Sequence, residues 1–164
     1  MNFRNEKESG SSLEIYTDGS CHTQLLIGGW AALIFTGKEK IILSGKENNT
    51  THNRMELVAV ISAIEYTQKN YPLTKELTVF SDSQYVIGLK AREKKFRASD
   101  FTTKKGNEVR NSDLVKKLLR LEETLTIHFI KVKAHQQKTE AINHNIEVDL
   151  ICRKIVRDAV RVAL

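Results

Sequence analysis

At 164 residues, with a hydrophobic fraction of 40%, the chain is long enough for one domain with a sizeable core, without disulfides or a structural metal. A formal charge of +6 and a pI near 9.3 point to a polyanionic partner, without separating nucleic acid from an anionic membrane surface. No stretch approaches a membrane span, the polar run Met1–Ser12 lacks the apolar core of a secretory signal, and Cys21 and Cys152 lie in no zinc-binding spacing. The expectation is a cytoplasmic protein with no membrane contact and two reduced thiols, a disordered tail over 1–12 and a single domain over 13–164.

Leu13, Ile15 and Thr17 alternate with Glu14, Tyr16 and Asp18 ahead of Gly19, the pattern of a strand ending in a turn that displays Asp18. Trp30–Phe35 and Ile41–Leu43, set off by Gly28-Gly29, Gly37-Lys38 and Gly45, suit two further strands of a meander. From Asn53 the period changes: Met55, Val58, Ala59, Ile61 and Ile64 are spaced for an amphipathic helix that Pro72 terminates. Leu77, Val79 and Phe80 make a short strand running into Ser81-Asp82-Ser83, where a Ser-capped helix starts. Ala91–Arg110 is rich in Lys and Arg without an apolar period, and reads as an exposed, partly helical excursion. Leu114, Val115, Leu118, Leu119 and Leu125 mark another helix, and Thr126–Val132 a strand. After a polar loop over Lys133–Asn145, a last helix runs from about Ile146 with Leu150, Ile151, Ile155, Ala159 and Val160 inward. This order predicts an α/β domain, a mixed sheet flanked by helices.

Four acids stand at strand ends or on helices: Asp18, Glu56, Asp82 and Asp149, the last in the first turn of the final helix. Taken singly, an Asp at a strand end is more often a turn former or a helix cap. Open α/β sheets, however, place ligands beyond the carboxyl ends of their strands, where Asp18 and Asp82 lie side by side if their strands are neighbours. Carboxylates gathered there repel by roughly 4 kcal/mol per pair at 4 Å and an effective dielectric near 20, so the cluster calls for cations or protonation. Oxygen ligands without Cys or paired His select magnesium or manganese, and two such ions can hold an in-line displacement at phosphorus. The chemistry indicated is phosphodiester hydrolysis.

Tyr16-Thr17-Asp18-Gly19-Ser20, Thr51-His52-Asn53-Arg54-Met55-Glu56-Leu57, Ser81-Asp82-Ser83-Gln84-Tyr85-Val86 and Val132-Lys133-Ala134-His135 occur in this order. Together they closely resemble the type 1 ribonucleases H, and the resemblance runs from Leu13 to the end of the chain. It implies a ribonuclease H-like fold with a mixed five-stranded sheet, making 13–164 a ribonuclease H catalytic domain. The implied activity is endonucleolytic, cutting the RNA strand of an RNA–DNA hybrid to leave 5′-phosphate and 3′-hydroxyl ends. The expected protein is a monomer using two magnesium ions with substrate, manganese being a possible substitute. Asp18 would bridge the ions, with Asp149 on the water-activating side and Glu56 and Asp82 on the leaving-group side. His135 would assist proton transfer or product release from a mobile loop. Asn53 and Gln84 would contact the hybrid in its minor groove, where amides can meet 2′-hydroxyls and base edges. Thr51 would help hold a DNA-strand phosphate.

The chain departs from the family in several places. His22–Ile27 stands where bacterial members usually carry Gly-Asn-Pro-Gly, and His52 replaces a frequent Asn, read as a substrate-side variation rather than a metal ligand. The basic excursion resembles the family's handle through Lys94, Lys95, Arg97, Lys104 and Lys105, but lacks its tryptophans and keeps only Phe96 and Phe101. In the lengthened loop before Asp149, His144 competes with His135, which matches the family's position better; His128 reads as structural. The rivals are a catalytically silent hybrid-binding module and a two-metal nuclease for another nucleic acid structure. Binding alone gives no reason to keep four mutually repelling carboxylates beside a polyanion.

Overall fold

The computed structural model describes residues 12–133 and 140–164. The alternating apolar positions of the sequence become five strands: β1 (Leu13–His22), β2 (Ile27–Phe35), β3 (Lys40–Glu47), β4 (Glu76–Ser81) and β5 (Thr126–Lys131). They form one sheet in the order β3-β2-β1-β4-β5. The first three strands pair antiparallel as a meander, whereas β1 with β4 and β4 with β5 pair parallel, so the sheet is mixed.

Because successive side chains in a strand point to opposite faces, β1 feeds two cores. Ile15 joins Ala32, Ile34, Leu77 and Val79 against helix α1 (His52–Asn70) and helix α4 (Ser112–Thr124). Its neighbour Tyr16 joins Ala31 and Leu33 on the other face, covered by Val148 and Cys152 of helix α5 (Glu140–Ala163). Each fully buried Ile or Leu contributes about 1.5–3 kcal/mol. Thr51 caps α1 by accepting a hydrogen bond from the Arg54 backbone N–H at 3.2 Å, and Arg54 then clamps Asp113 at the start of α4 through two bonds of 3.1 and 2.9 Å. Ser83 likewise caps the short helix α2 (Gln84–Gly88), as its place before the helix predicts.

Several expectations are corrected. β1 does not turn at Gly19 but continues to His22, because Asp18–His22 stay paired with Ala31–Ile27 of β2; the turn falls at 23–26. The last helix begins at Glu140 rather than Ile146, so His144 is helical and Asp149 stands well inside α5, beyond its first turn. The buried stripe there is Asn145, Val148, Cys152 and Val156; Ile151 packs half-buried against the same core as expected, whereas Leu150 is 61% exposed. Helical spacing runs through the polar Asn145, which a reading of apolar residues alone treats as loop. The basic excursion is also less detached than its composition implies. A 3₁₀ turn (Lys90–Arg92) and helix α3 (Glu93–Ala98) present Phe96 to the main core, and Phe101 follows it there. No helix among the described residues is long and apolar enough to cross a membrane.

Candidate active site

The pairing of β1 with β4 ends at Tyr16 and Phe80. Asp18 and Asp82 each lie two residues beyond that last pair, so both carboxylates stand where the strands part. Gly19 lets α1 come close to this point: a Cβ there would lie 2.6 Å from the backbone nitrogen of Glu56 and 2.7 Å from the carbonyl carbon of Met55. Gly29 does the same for α5, since a Cβ would sit 2.9 Å from the carbonyl oxygen of Cys152. Two glycines thus permit the two helix approaches that bring Glu56 and Asp149 in from opposite faces.

The result is two overlapping clusters. Ligand atoms of Asp18, Glu56 and Asp82 lie within 4.8 Å of one another, and so do those of Asp18, Asp149 and Cys152. Asp18 belongs to both and is buried, its Oδ1 accepting the Gly19 N–H at 2.9 Å. Burial first, then the charges of Glu56 and Asp82, push its carboxyl up to about 10. Asp82 is also raised, by burial and then by Glu56 and Asp149, against a smaller opposing effect of His52. The Cys152 thiol is raised by burial ahead of the nearby Asp18 and Asp149 charges. Glu56 is only 1% exposed, yet its Oε2 has no hydrogen-bond partner among the described residues. A buried carboxylate oxygen left unsatisfied inside a ring of acids is a fit for a cation, which would relieve both the repulsion and the missing contact.

The remaining candidates divide into those that flank this cluster and those that do not. Asn53 is exposed in the first turn of α1, three residues before Glu56, and Gln84 is exposed at the start of α2, two after Asp82. The Gln84 side-chain oxygen accepts a bond from Lys131 Nζ at 2.8 Å. Lys94 and Lys95 are exposed on α3, and Lys104 and Lys105 in the turn before Gly106; no ion pair is found for these four among the described residues. Arg97, by contrast, pairs with Glu93 at 3.1 Å and Glu123 at 3.7 Å. His135 lies outside the described residues. His144 packs its ring 4.9 Å from Tyr16 and 4.5 Å from Phe35, within the aromatic cluster under α5. His128 Nε2 lies 2.6 Å from Glu76 Oε1 on the edge strand β5.

Two contacts were not anticipated. His52 Nε2 lies 3.3 Å from Glu56 Oε1, and that hydrogen bond raises the imidazole pKa. The i,i+4 spacing of the two residues on one helix was the available signal. Cys152 follows Asp149 by three residues on the same helix face, and its sulfur lies 3.7 Å from Asp18 Oδ2.

A family model described as RNase H matches residues 10–157 of this chain. The ribonuclease H of Acetivibrio thermocellus is 33% identical over 151 residues, covering 91% of this chain and 95% of that protein. The ribonuclease H of Neorickettsia sennetsu is 36% identical over 143 residues, 85% of this chain and 89% of its own length. That of Caldanaerobacter subterraneus is 38% identical over 132 residues, 79% and 83% respectively.

Proposed function

The chain belongs to the ribonuclease H family and is an enzyme of that activity, and from that premise we propose that its domain over 13–164 hydrolyses the RNA strand of RNA–DNA hybrids, leaving 5′-phosphate and 3′-hydroxyl ends. The observation that carries the site assignment is that Asp18, where β1 and β4 part, is grouped with Glu56 and Asp82 on one side and with Asp149 on the other. All four come from one chain, which suits a monomer. The free thiols of Cys21 and Cys152 suit the cytoplasm.

The four carboxylates would hold the metal, magnesium for preference and manganese as a substitute, because hard oxygen donors select hard cations. Two ions bound there with substrate would supply an activated water and stabilisation of the leaving oxygen. Asp18, shared by both clusters, suits a bridging ligand, with Asp149 on the water side and Glu56 and Asp82 on the leaving-group side. Substrate choice falls to the flanking groups. Asn53 and Gln84 meet 2′-hydroxyls and base edges in the shallow minor groove, which distinguishes RNA from DNA without reading sequence. Thr51 already accepts from Arg54, so its hydroxyl proton is available to a phosphate oxygen of the DNA strand. His135 relays a proton, and Lys94, Lys95, Arg97, Lys104 and Lys105 neutralise phosphates further along the duplex.

A gel assay of matched RNA–DNA, double-stranded RNA and double-stranded DNA, each with magnesium, manganese or chelator, tests the reading. Cleavage confined to the RNA of the hybrid and abolished by chelator is expected. Equal cutting of double-stranded DNA would overturn it.

A further inference from the structure

The ends of β4 and β5 are tied to the start of α2 through one residue. Ser81 is buried; its carbonyl oxygen accepts the Val132 N–H at 2.9 Å, and its side-chain oxygen accepts the Ser83 N–H at 3.0 Å. Ser83 in turn caps α2, accepting the Val86 N–H at 3.2 Å. Lys131, the register partner of Ser81, and Gln84, the first residue of α2, therefore spring from backbone that is fixed on both sides. Both residues are exposed, yet their side chains meet: Lys131 Nζ donates to Gln84 Oε1 at 2.8 Å. Among the described residues the Lys131 side chain makes no other hydrogen bond or ion pair.

We propose that Lys131 is a positioning residue for hybrid binding that acts by holding the Gln84 carboxamide, a role that rests on Gln84 meeting the minor groove. The two ends of a carboxamide are alike in shape and opposite in hydrogen bonding, since oxygen accepts and nitrogen donates. An ammonium group carries donors only, so it holds the oxygen end and leaves the N–H groups available to substrate. The bond is charge-assisted, roughly twice as strong as a neutral one, which suits it to hold an exposed side chain. Acceptors for those N–H groups occur at every base pair of a hybrid minor groove, as purine N3, pyrimidine O2 and the ribose 2′-hydroxyl. Fixing the carboxamide before substrate arrives spares the entropy of ordering it on binding. Affinity rises, while the chemical step is untouched because the contact serves ground and transition states alike.

Steady-state cleavage of a matched RNA–DNA hybrid by the full chain tests this in Lys131→Met, Lys131→Arg, Gln84→Ala and the double variant of Lys131→Met with Gln84→Ala. Lys131→Met should raise KM about three- to tenfold, the cost of ordering one long side chain, with kcat within about twofold and the thermal unfolding midpoint unchanged. Lys131→Arg, whose side chain also carries donors only, should restore most of the parental KM. Gln84→Ala should raise KM at least as far, and adding Lys131→Met to it should change nothing more, because no carboxamide is left to hold. Effects that multiply in the double variant, with the log–log salt slope of binding lowered by roughly 0.7 to 0.9 in Lys131→Met, would make Lys131 a direct phosphate contact and overturn the proposal. A parental KM in Lys131→Met overturns it too. Failure of the underlying reading is distinct: Gln84→Ala then keeps the parental KM, or the parent leaves hybrids uncut, and the role of Lys131 falls with it.

Discussion

The carboxylate cluster and the basic excursion are two strongly charged regions that treat charge in opposite ways. At the cluster, carboxylates are brought together and two of them buried, with the exposed imidazole of His52 in contact with Glu56. In the excursion, charge stays at the surface and is partly compensated: Lys90 bridges Glu93 and Glu122 at 2.9 and 3.2 Å, and Arg97 bridges Glu93 and Glu123. The excursion is held in place by Phe96 and Phe101, whose rings stack 5.9 Å apart in the core. Buried like charges raise the energy of the fold and persist where a ligand relieves them, whereas exposed, paired charges cost little and contribute little. On the proposed reading, function is therefore concentrated in the first region and spread thinly over the second.

The sharpest way to break this comparison is Asp18→Asn. It should lower magnesium-dependent cleavage by about 10³-fold or more while leaving hybrid affinity nearly intact, because the amide removes a charge and a ligand oxygen but little shape. Parental turnover in a single-turnover assay would refute the shared-ligand role. In the excursion the large effect should come from an apolar residue: Phe96→Ala is expected to destabilise the chain by about 3 kcal/mol, since its ring is buried. Urea denaturation with a loss under about 0.5 kcal/mol would make the segment a detached appendage after all.

His135→Ala should slow cleavage roughly 10²-fold without abolishing it, since water can partly replace a proton shuttle. A parental rate there, with a collapse in His144→Ala, would reverse the choice of histidine despite the packing of His144 against Tyr16 and Phe35.

A smaller effect follows from the raised Asp18 carboxyl, at about 10 in the folded metal-free chain. An unfolded Asp titrates near 4, so between those values the folded chain holds a proton that the unfolded chain releases, and stability falls as pH rises through the window. With chelator present, Asp18→Asn should remove that slope and be more stable than the parent at pH 8 by about 1–3 kcal/mol, with a smaller gap at pH 5. Parallel pH profiles in thermal melts would contradict the electrostatic account.

The mildest change is expected from replacing Lys94, Lys95 and Arg97 together by Ala. Each phosphate neutralised contributes roughly 0.7 to 0.9 to the log–log salt slope. With Arg97 already engaged by Glu93 and Glu123, a flattening of about two is expected, measured by hybrid titration in the Asp18→Asn background. An unchanged slope would reduce these residues to a solvated face.

Much of this protein was written locally in its sequence. Alternation at Leu13, Ile15 and Thr17, the helical spacing from Met55 to Ile64 and the Ser83 cap each depend on neighbours a few residues away, so strands, α1 and the start of α2 were legible. Asp82 at its strand end was equally so, since periodicity and turn chemistry are short-range signals. The tertiary structure decided what depends on residues far apart in the chain. Pairing with β2 carried β1 past Gly19 to His22, and docking on the sheet made helix out of Glu140–Asn145, where polar residues hid the period. Core packing drew in Phe96 and Phe101 from a stretch that composition marked as exposed. Cys152 reached Asp18 across 134 residues of chain because α5 closes on the sheet beside Gly29, and no local pattern encodes where such surfaces meet.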